Sequence, residues 1–306
     1  YYPGCKVWYD VRSAYGPGVL LGRTGGQGDQ ECWSNFQHVP RYELTRLTFV
    51  GPDGTEYELL DKQTGGRPLP ITDPCLGTVA SRGRVWTTPD GQSLTFIADA
   101  EGVYHTGYLL FRDGTRYRVE NEVVTWLRDR NGNKITFTYD QFRRVKTISD
   151  SLNRSVIVEY DVADIAPYGA CDRIKYRGFG NQERIIRISK GSLGGRLRPG
   201  SGYTLKTTGQ LFDNGFGGYP HNSQPANPPV TSAVWLPDGR SYQFYYNEYA
   251  ELAGVELPTG GAFEYDYAAG VSDGPAGGLW WPDIYRRVVE RRVYANGGTG
   301  ATYDYK

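Results

Sequence analysis

The chain has 306 residues, in which 34 lysines and arginines balance 34 aspartates and glutamates, so the formal net charge is zero. Neutrality removes the electrostatic reason to expect nucleic acid as a partner, and no apolar run approaches the ~20 residues a membrane helix needs, so no membrane insertion is expected. With 25 tyrosines, 41 glycines and no methionine, the composition favours pleated strands and tight turns over long helices.

In chain order, the opening Tyr1-Tyr2 and the missing methionine are expected of a processed or excerpted piece. Residues 1–40 are glycine-rich, hold Cys5 and Cys32, and lack a repeat, which predicts an irregular lead-in. Within them Gly25-Gly26-Gln27-Gly28 has neither the strand–helix context nor the Gly-Lys-Ser/Thr of a phosphate loop. Residues 41–190 read as a first block of β-hairpins, interrupted by a loop over 62–84 that carries Cys75. Asx-Gly pairs at Asp53-Gly54, Asp90-Gly91, Asp113-Gly114, Asn131-Gly132 and, later, Asp238-Gly239 accept positive φ and predict type I′ turns. KITFTYD (Lys134 to Asp140) alternates with period two: Ile135, Phe137 and Tyr139 point one way, Thr136 and Thr138 the other. SVIVEYD (Ser155 to Asp161) repeats it at an offset of 155 − 134 = 21, which sets Tyr160 equivalent to Tyr139.

Residues 191–230 are rich in glycine and proline and poor in apolar periodicity, which predicts an insertion extending from the sheet. Residues 231–306 form a second block. There LPDGRSYQFYY returns as LPTGGAFEYDY, again at an offset of 257 − 236 = 21. Tyr242, Phe244, Tyr246, Phe263, Tyr265 and Tyr267 are its strand aromatics, expected to pack as ladders across paired strands. A glycine-rich loop then leads into Trp280 and Trp281. Adjacent residues of a strand face opposite sides, so one of the two is a candidate aromatic for a sugar ring or a partner chain. DIYRRVVERRVY (Asp283 to Tyr294) is expected to be a strand, followed by a turn over 295–298. Thr302, Tyr303, Asp304, Tyr305 and Lys306 stop in mid-repeat and form a candidate assembly strand.

No pattern announces chemistry. Cys5, Cys32, Cys75 and Cys171 make no CxxC pair, and His38, His105 and His221 are scattered, so no zinc site is expected. The four cysteines are candidate disulfides of an oxidising compartment, with pairing open among three arrangements and Cys5–Cys32 the nearest in sequence; buried thiols are the alternative. Asp129, Asn131, Asn133 and Asp140 imitate part of a calcium loop, but Lys134 stands where its glycine belongs, which favours a hairpin turn. With no triad, no nucleophile elbow and no marked carboxylate pair, the sequence predicts no catalytic, metal or cofactor-binding residue and no enzyme.

DRNGNKITFTYD (Asp129 to Asp140), followed by Arg144-Val145, resembles the unit of the YD-repeat, or Rhs-repeat, family: a D-x-x-G turn, an alternating strand ending Tyr-x-Tyr-Asp, then Gly-Arg-Leu. Arg143 and Ala250 occupy the glycine place, so these repeats are degenerate; GPDGTEYELLD, TPDGQSLTFIAD, FRDGTRYRVE and the final ATYDYK are partial echoes. The resemblance implies an all-β fold: an antiparallel β-hairpin ladder, curved or spiralling, with long Gly/Pro-rich loops and little helix. It also implies a non-catalytic structural segment of a bacterial or teneurin-like shell, stalk or surface fibre, extracellular or at the cell surface. The acidic self-cleaving core of some members has no counterpart in this sequence. The partners expected are other YD-repeat segments, or copies of the chain itself joined through Thr302–Lys306 by strand addition into a filament. Glycans are expected where aromatics are exposed.

Overall fold

The computed structural model describes residues 15–25, 31–34, 37–40, 43–66, 69–70, 81–89, 94–102, 104–211, 224–269, 286–295 and 301–304. The protein is almost all β, with 54% strand and 5% helix, in an antiparallel hairpin-type sheet. It divides into two compact units, Tyr1–Ile157 and Val158–Lys306.

The strands of the first unit are β1 (Val19–Gly25), β2 (Glu31–Ser34), β3 (Gln37–Pro40), β4 (Glu43–Val50), β5 (Glu56–Asp61), β6 (Leu69–Pro70), β7 (Val85–Thr87), β8 (Thr95–Ala98), β9 (Gly107–Leu110), β10 (Arg116–Glu120), β11 (Val123–Arg128), β12 (Lys134–Tyr139), β13 (Val145–Asp150) and the start of β14 (Ser155–Ala163). Antiparallel pairings run β1–β4–β5–β7–β8–β9–β10–β11 and return to β1 through Val19 opposite Val123, which closes a barrel. Closure removes the unpaired sheet edges that an open ribbon would leave. The barrel core includes Leu20, Leu47, Phe49, Leu59, Trp86 and Phe96, each 0–1% exposed. The barrel was not foreseen, because its closing strand β1 lies in the segment expected to be irregular. Beyond the closure, β11 pairs β12 and the ribbon continues through β13 to β14. Gly107 is needed by close approach: a Cβ there would stand 2.2 Å from the Ile97 carbonyl oxygen and 2.8 Å from the Phe96 ring.

After β14, the second unit contains β15 (Ala170–Arg177), β16 (Glu183–Ser192), β17 (Pro229–Trp235), β18 (Ser241–Tyr246), β19 (Leu252–Glu256), β20 (Ala262–Ala269), β21 (Arg286–Tyr294) and β22 (Ala301–Asp304), each of β15 to β22 paired with the next. β21 confirms the strand expected from alternation in residues 283–294.

The turns differ from expectation. At 52–54, 112–114, 130–132, 141–143, 151–153, 237–239, 248–250 and 258–260, the flanking residues close a three-residue loop with backbone hydrogen bonds. Within each loop only the third residue has positive φ: Gly54, Gly114, Gly132, Arg143, Asn153, Gly239, Ala250 or Gly260. This is a turn followed by a left-handed bulge residue, not the type I′ geometry, in which both central residues take positive φ. Type I′ geometry occurs instead at Asn121 and Glu122, with φ of 49° and 76°. Asp90-Gly91 lies outside the described residues.

Candidate functional site

An aspartate or asparagine at the end of a strand fastens the loop that follows. Oδ1 of Asp129 accepts the N–H of Asn131 and Asn133; Asp140 does the same for Phe142 and Arg144, Asp150 for Leu152 and Arg154, and Asn247 for Tyr249 and Glu251, all at 2.8–3.0 Å. The apparent calcium loop at Asp129 is thus a hairpin turn whose carboxylate is engaged by its own backbone. For Asp140, burial pushes the carboxyl up, but the N–H and guanidinium of Arg144 outweigh it and hold the group below the ordinary value.

Each of three repeat tyrosines follows a bulge: between Thr138 and Tyr139, Tyr245 and Tyr246, and Asp266 and Tyr267. A bulge adds twist and re-aims the next side chain. The re-aimed phenols reach back to the preceding strand. Tyr139 donates to the Val124 carbonyl, Tyr246 to that of Thr231 at 2.8 Å and Tyr267 to that of Leu252 at 2.9 Å, each 15 residues earlier. Burial raises Tyr246 and Tyr267 above the ordinary phenol value, so both remain donors. The other aromatics do not form the expected ladder of ring on ring. Phe244 and Phe263 both face Val255, and Tyr245 faces Gly254, because β19 lies between the two aromatic strands. Phe137 is buried, and Tyr160, Tyr242 and Tyr265 are half-buried.

The start of the insertion packs onto the second unit instead of extending from it. Leu193 and Leu211 are 1% and 4% exposed. Between them two arginines reach across the strands. Arg196 donates from Nε to the Phe244 carbonyl at 3.0 Å and from Nη2 to that of Ser232 at 2.9 Å, with its guanidinium 4.5 Å from the Tyr245 ring centre. Arg198, its side chain 9% exposed, donates from Nη1 to the carbonyls of Ala253 and Tyr265, and from Nη2 to Asp266 at 2.6 Å. Asp266 also accepts from Arg292 at 2.7 Å. Burial raises its carboxyl, while hydrogen bonds from Arg292 and Arg198 carry it below the ordinary value. Arg292 further pairs with Glu264 and Glu290, and Arg286 with Glu251. Asp266, Glu264, Glu290 and Glu251 each face an arginine, and Arg196 is held by carbonyls and a ring, which is the arrangement of a fastening.

The first unit contributes a buried pair and an outward row. Asp61 accepts from Arg82 Nη1 at 3.0 Å with both side chains at most 1% exposed, and also from the Thr64 N–H and hydroxyl. On the outside, Tyr108, Arg118, Trp126 and Thr136 stand directly opposite one another on β9, β10, β11 and β12. The Arg118 guanidinium lies 4.7 Å from the Tyr108 ring centre and is held by two 2.7 Å hydrogen bonds to Asp99. Tyr108 and Trp126 meet edge to face at 6.0 Å, and Lys134 Nζ sits 5.0 Å from the Trp126 ring.

Sequence reading singled out neither this row nor the Arg196–Arg198 pair; alternation in β10 to β12 was the one signal that could have found the row. Cys171 is a buried free thiol in β15. Cys5, Cys75, Trp280, Trp281, Tyr305 and Lys306 lie outside the described residues, and of Cys32 only the backbone is placed, in β2. The backbone of Thr302, Tyr303 and Asp304 forms β22 and pairs β21 of the same chain. Among the described residues no group of three His, Cys, Asp or Glu could hold a metal ion, and no helix is long and apolar enough to cross a membrane. No family model matches the chain, and no curated protein matches it.

Proposed function

We propose that the chain is a non-catalytic extracellular structural segment of YD-repeat type, a β-strip forming part of a shell, stalk or surface fibre. One observation carries the reading: the hydroxyls of Tyr139, Tyr246 and Tyr267 each donate to a backbone carbonyl 15 residues earlier. The residue that marks the repeat is therefore engaged by the sheet itself. The arginines of the insertion support the same reading, since strand carbonyls and Asp266 occupy the guanidiniums that a substrate would otherwise meet. The extracellular setting, and partners that are further repeat segments or copies of the chain, rest on the resemblance alone.

The test is the pair Tyr246→Phe and Tyr267→Phe. Each is expected to cost about 1 kcal/mol of stability in urea unfolding, the net worth of a hydrogen bond that leaves a carbonyl unpaired. The two are also combined, because Tyr246 stands directly opposite Leu252, whose carbonyl Tyr267 uses, so the double variant reads their coupling as well as their sum. A double variant as stable as the parent would contradict the role given to these tyrosines.

A further inference from the structure

Three cations stand side by side on the outer face of the first unit. Arg116 of β10 is directly opposite Arg128 of β11, and Arg128 is directly opposite Lys134 of β12. All three are exposed, and none has a carboxylate partner among the described residues. Like charges in directly opposed positions destabilise a sheet. Of the carboxylates adjoining these strands, Asp99 and Glu120 are held by Arg118, while Asp113 and Asp129 accept N–H groups of their own turns and keep their charge. The adjoining row supplies Tyr108 and Trp126, fixed by their mutual contact, and the hydroxyl of Thr136.

We propose that this face binds an anionic polysaccharide laid across the strands. Adjacent strands lie about 4.8 Å apart, so a chain crossing them meets a cation at each step. Arg116, Arg128 and Lys134 take its sulfate or carboxylate groups, while Trp126 and Tyr108 offer apolar surface to the C–H faces of sugar rings. The aromatic rings and the Thr136 hydroxyl beside the charges suit a sugar chain.

The experiment measures binding of the whole chain to heparin and to polygalacturonate oligosaccharides, with an oligothymidylate of similar charge as the third probe. Binding to at least one glycan is expected, falling with salt at a slope lowered by about one for each cation removed. Arg116→Gln with Arg128→Gln should weaken it about tenfold or more, and Trp126→Ala should weaken it too. Arg154→Gln, on a different hairpin and paired with Asp150, should not. The Arg128→Gln variant should keep or gain thermal stability, since it relieves repulsion, and this separates lost binding from lost folding. No binding to either glycan, binding unchanged in the double variant, or equal affinity for the oligothymidylate would overturn the proposal.

Discussion

Arg143 and Ala250 hold φ near 63° and 61° in loops where equivalent positions carry glycine. A left-handed conformation costs a non-glycine residue about 1–2 kcal/mol, partly offset by the greater freedom glycine has when unfolded. Ala250→Gly should therefore stabilise the chain by about 0.5–1 kcal/mol, read from the urea midpoint at unchanged slope. A fall in the midpoint would mean that the loop does not take the geometry described. Gly107→Ala should do the reverse, because its Cβ would meet backbone as well as the Phe96 ring. At this scale the sequence was legible where one residue type has one use. The need for positive φ at Gly54, Gly132 and Gly239 was plain. The turn type was not, since Asp-Gly serves both geometries and the choice is made by where the flanking N–H and C=O groups close the loop.

Among elements, the start of the insertion depends on Arg198. Its guanidinium serves two carbonyls and Asp266 while almost wholly buried. Arg198→Ala should cost about 1.5–3 kcal/mol, the range for hydrogen bonds to charged groups. Hydrogen exchange should quicken at the Arg198 amide, which donates to the Tyr246 carbonyl at 2.9 Å. Unchanged stability and protection would show that this segment does not hold the sheet. Sequence reading recognised the segment as unlike its surroundings but expected it to project. Arginine-to-carbonyl contacts spanning 36 to 67 residues leave no periodic trace. β1 escaped for a similar reason: its apolar run is short and its partners are β4 and β11. Strands with alternation of their own, β12 and β18 among them, were legible throughout.

For the whole molecule, two groups of titrating residues bound the stable range. Asp140, Glu159 and Asp266 have depressed folded values, through N–H groups and Arg144, through Lys175 and Arg173, and through Arg292 and Arg198. Their contribution is present above the ordinary carboxylate range, about pH 4, and is lost as pH falls through the folded values. Tyr117, Tyr246 and Tyr267 are raised by burial. Their contribution is complete below the ordinary phenol value, about pH 10, and is lost as pH rises through the folded values. A plateau in the urea midpoint between these limits is expected, with an alkaline limb made shallower by Tyr246→Phe and Tyr267→Phe. A midpoint that keeps rising above pH 10 would contradict the burial of the phenols. The central claim, that successive hairpins pair side by side with tyrosine and arginine fastening them, is tested most directly by hydrogen exchange resolved to single amides. The account predicts joint slow exchange for the strand-paired amides of β17 to β20 and rapid exchange at the loop amides of Asp238, Glu248 and Thr259, which make none of the loop-closing hydrogen bonds. Rapid exchange throughout β18 and β19, or protection that ignores these strand and loop boundaries, would contradict it.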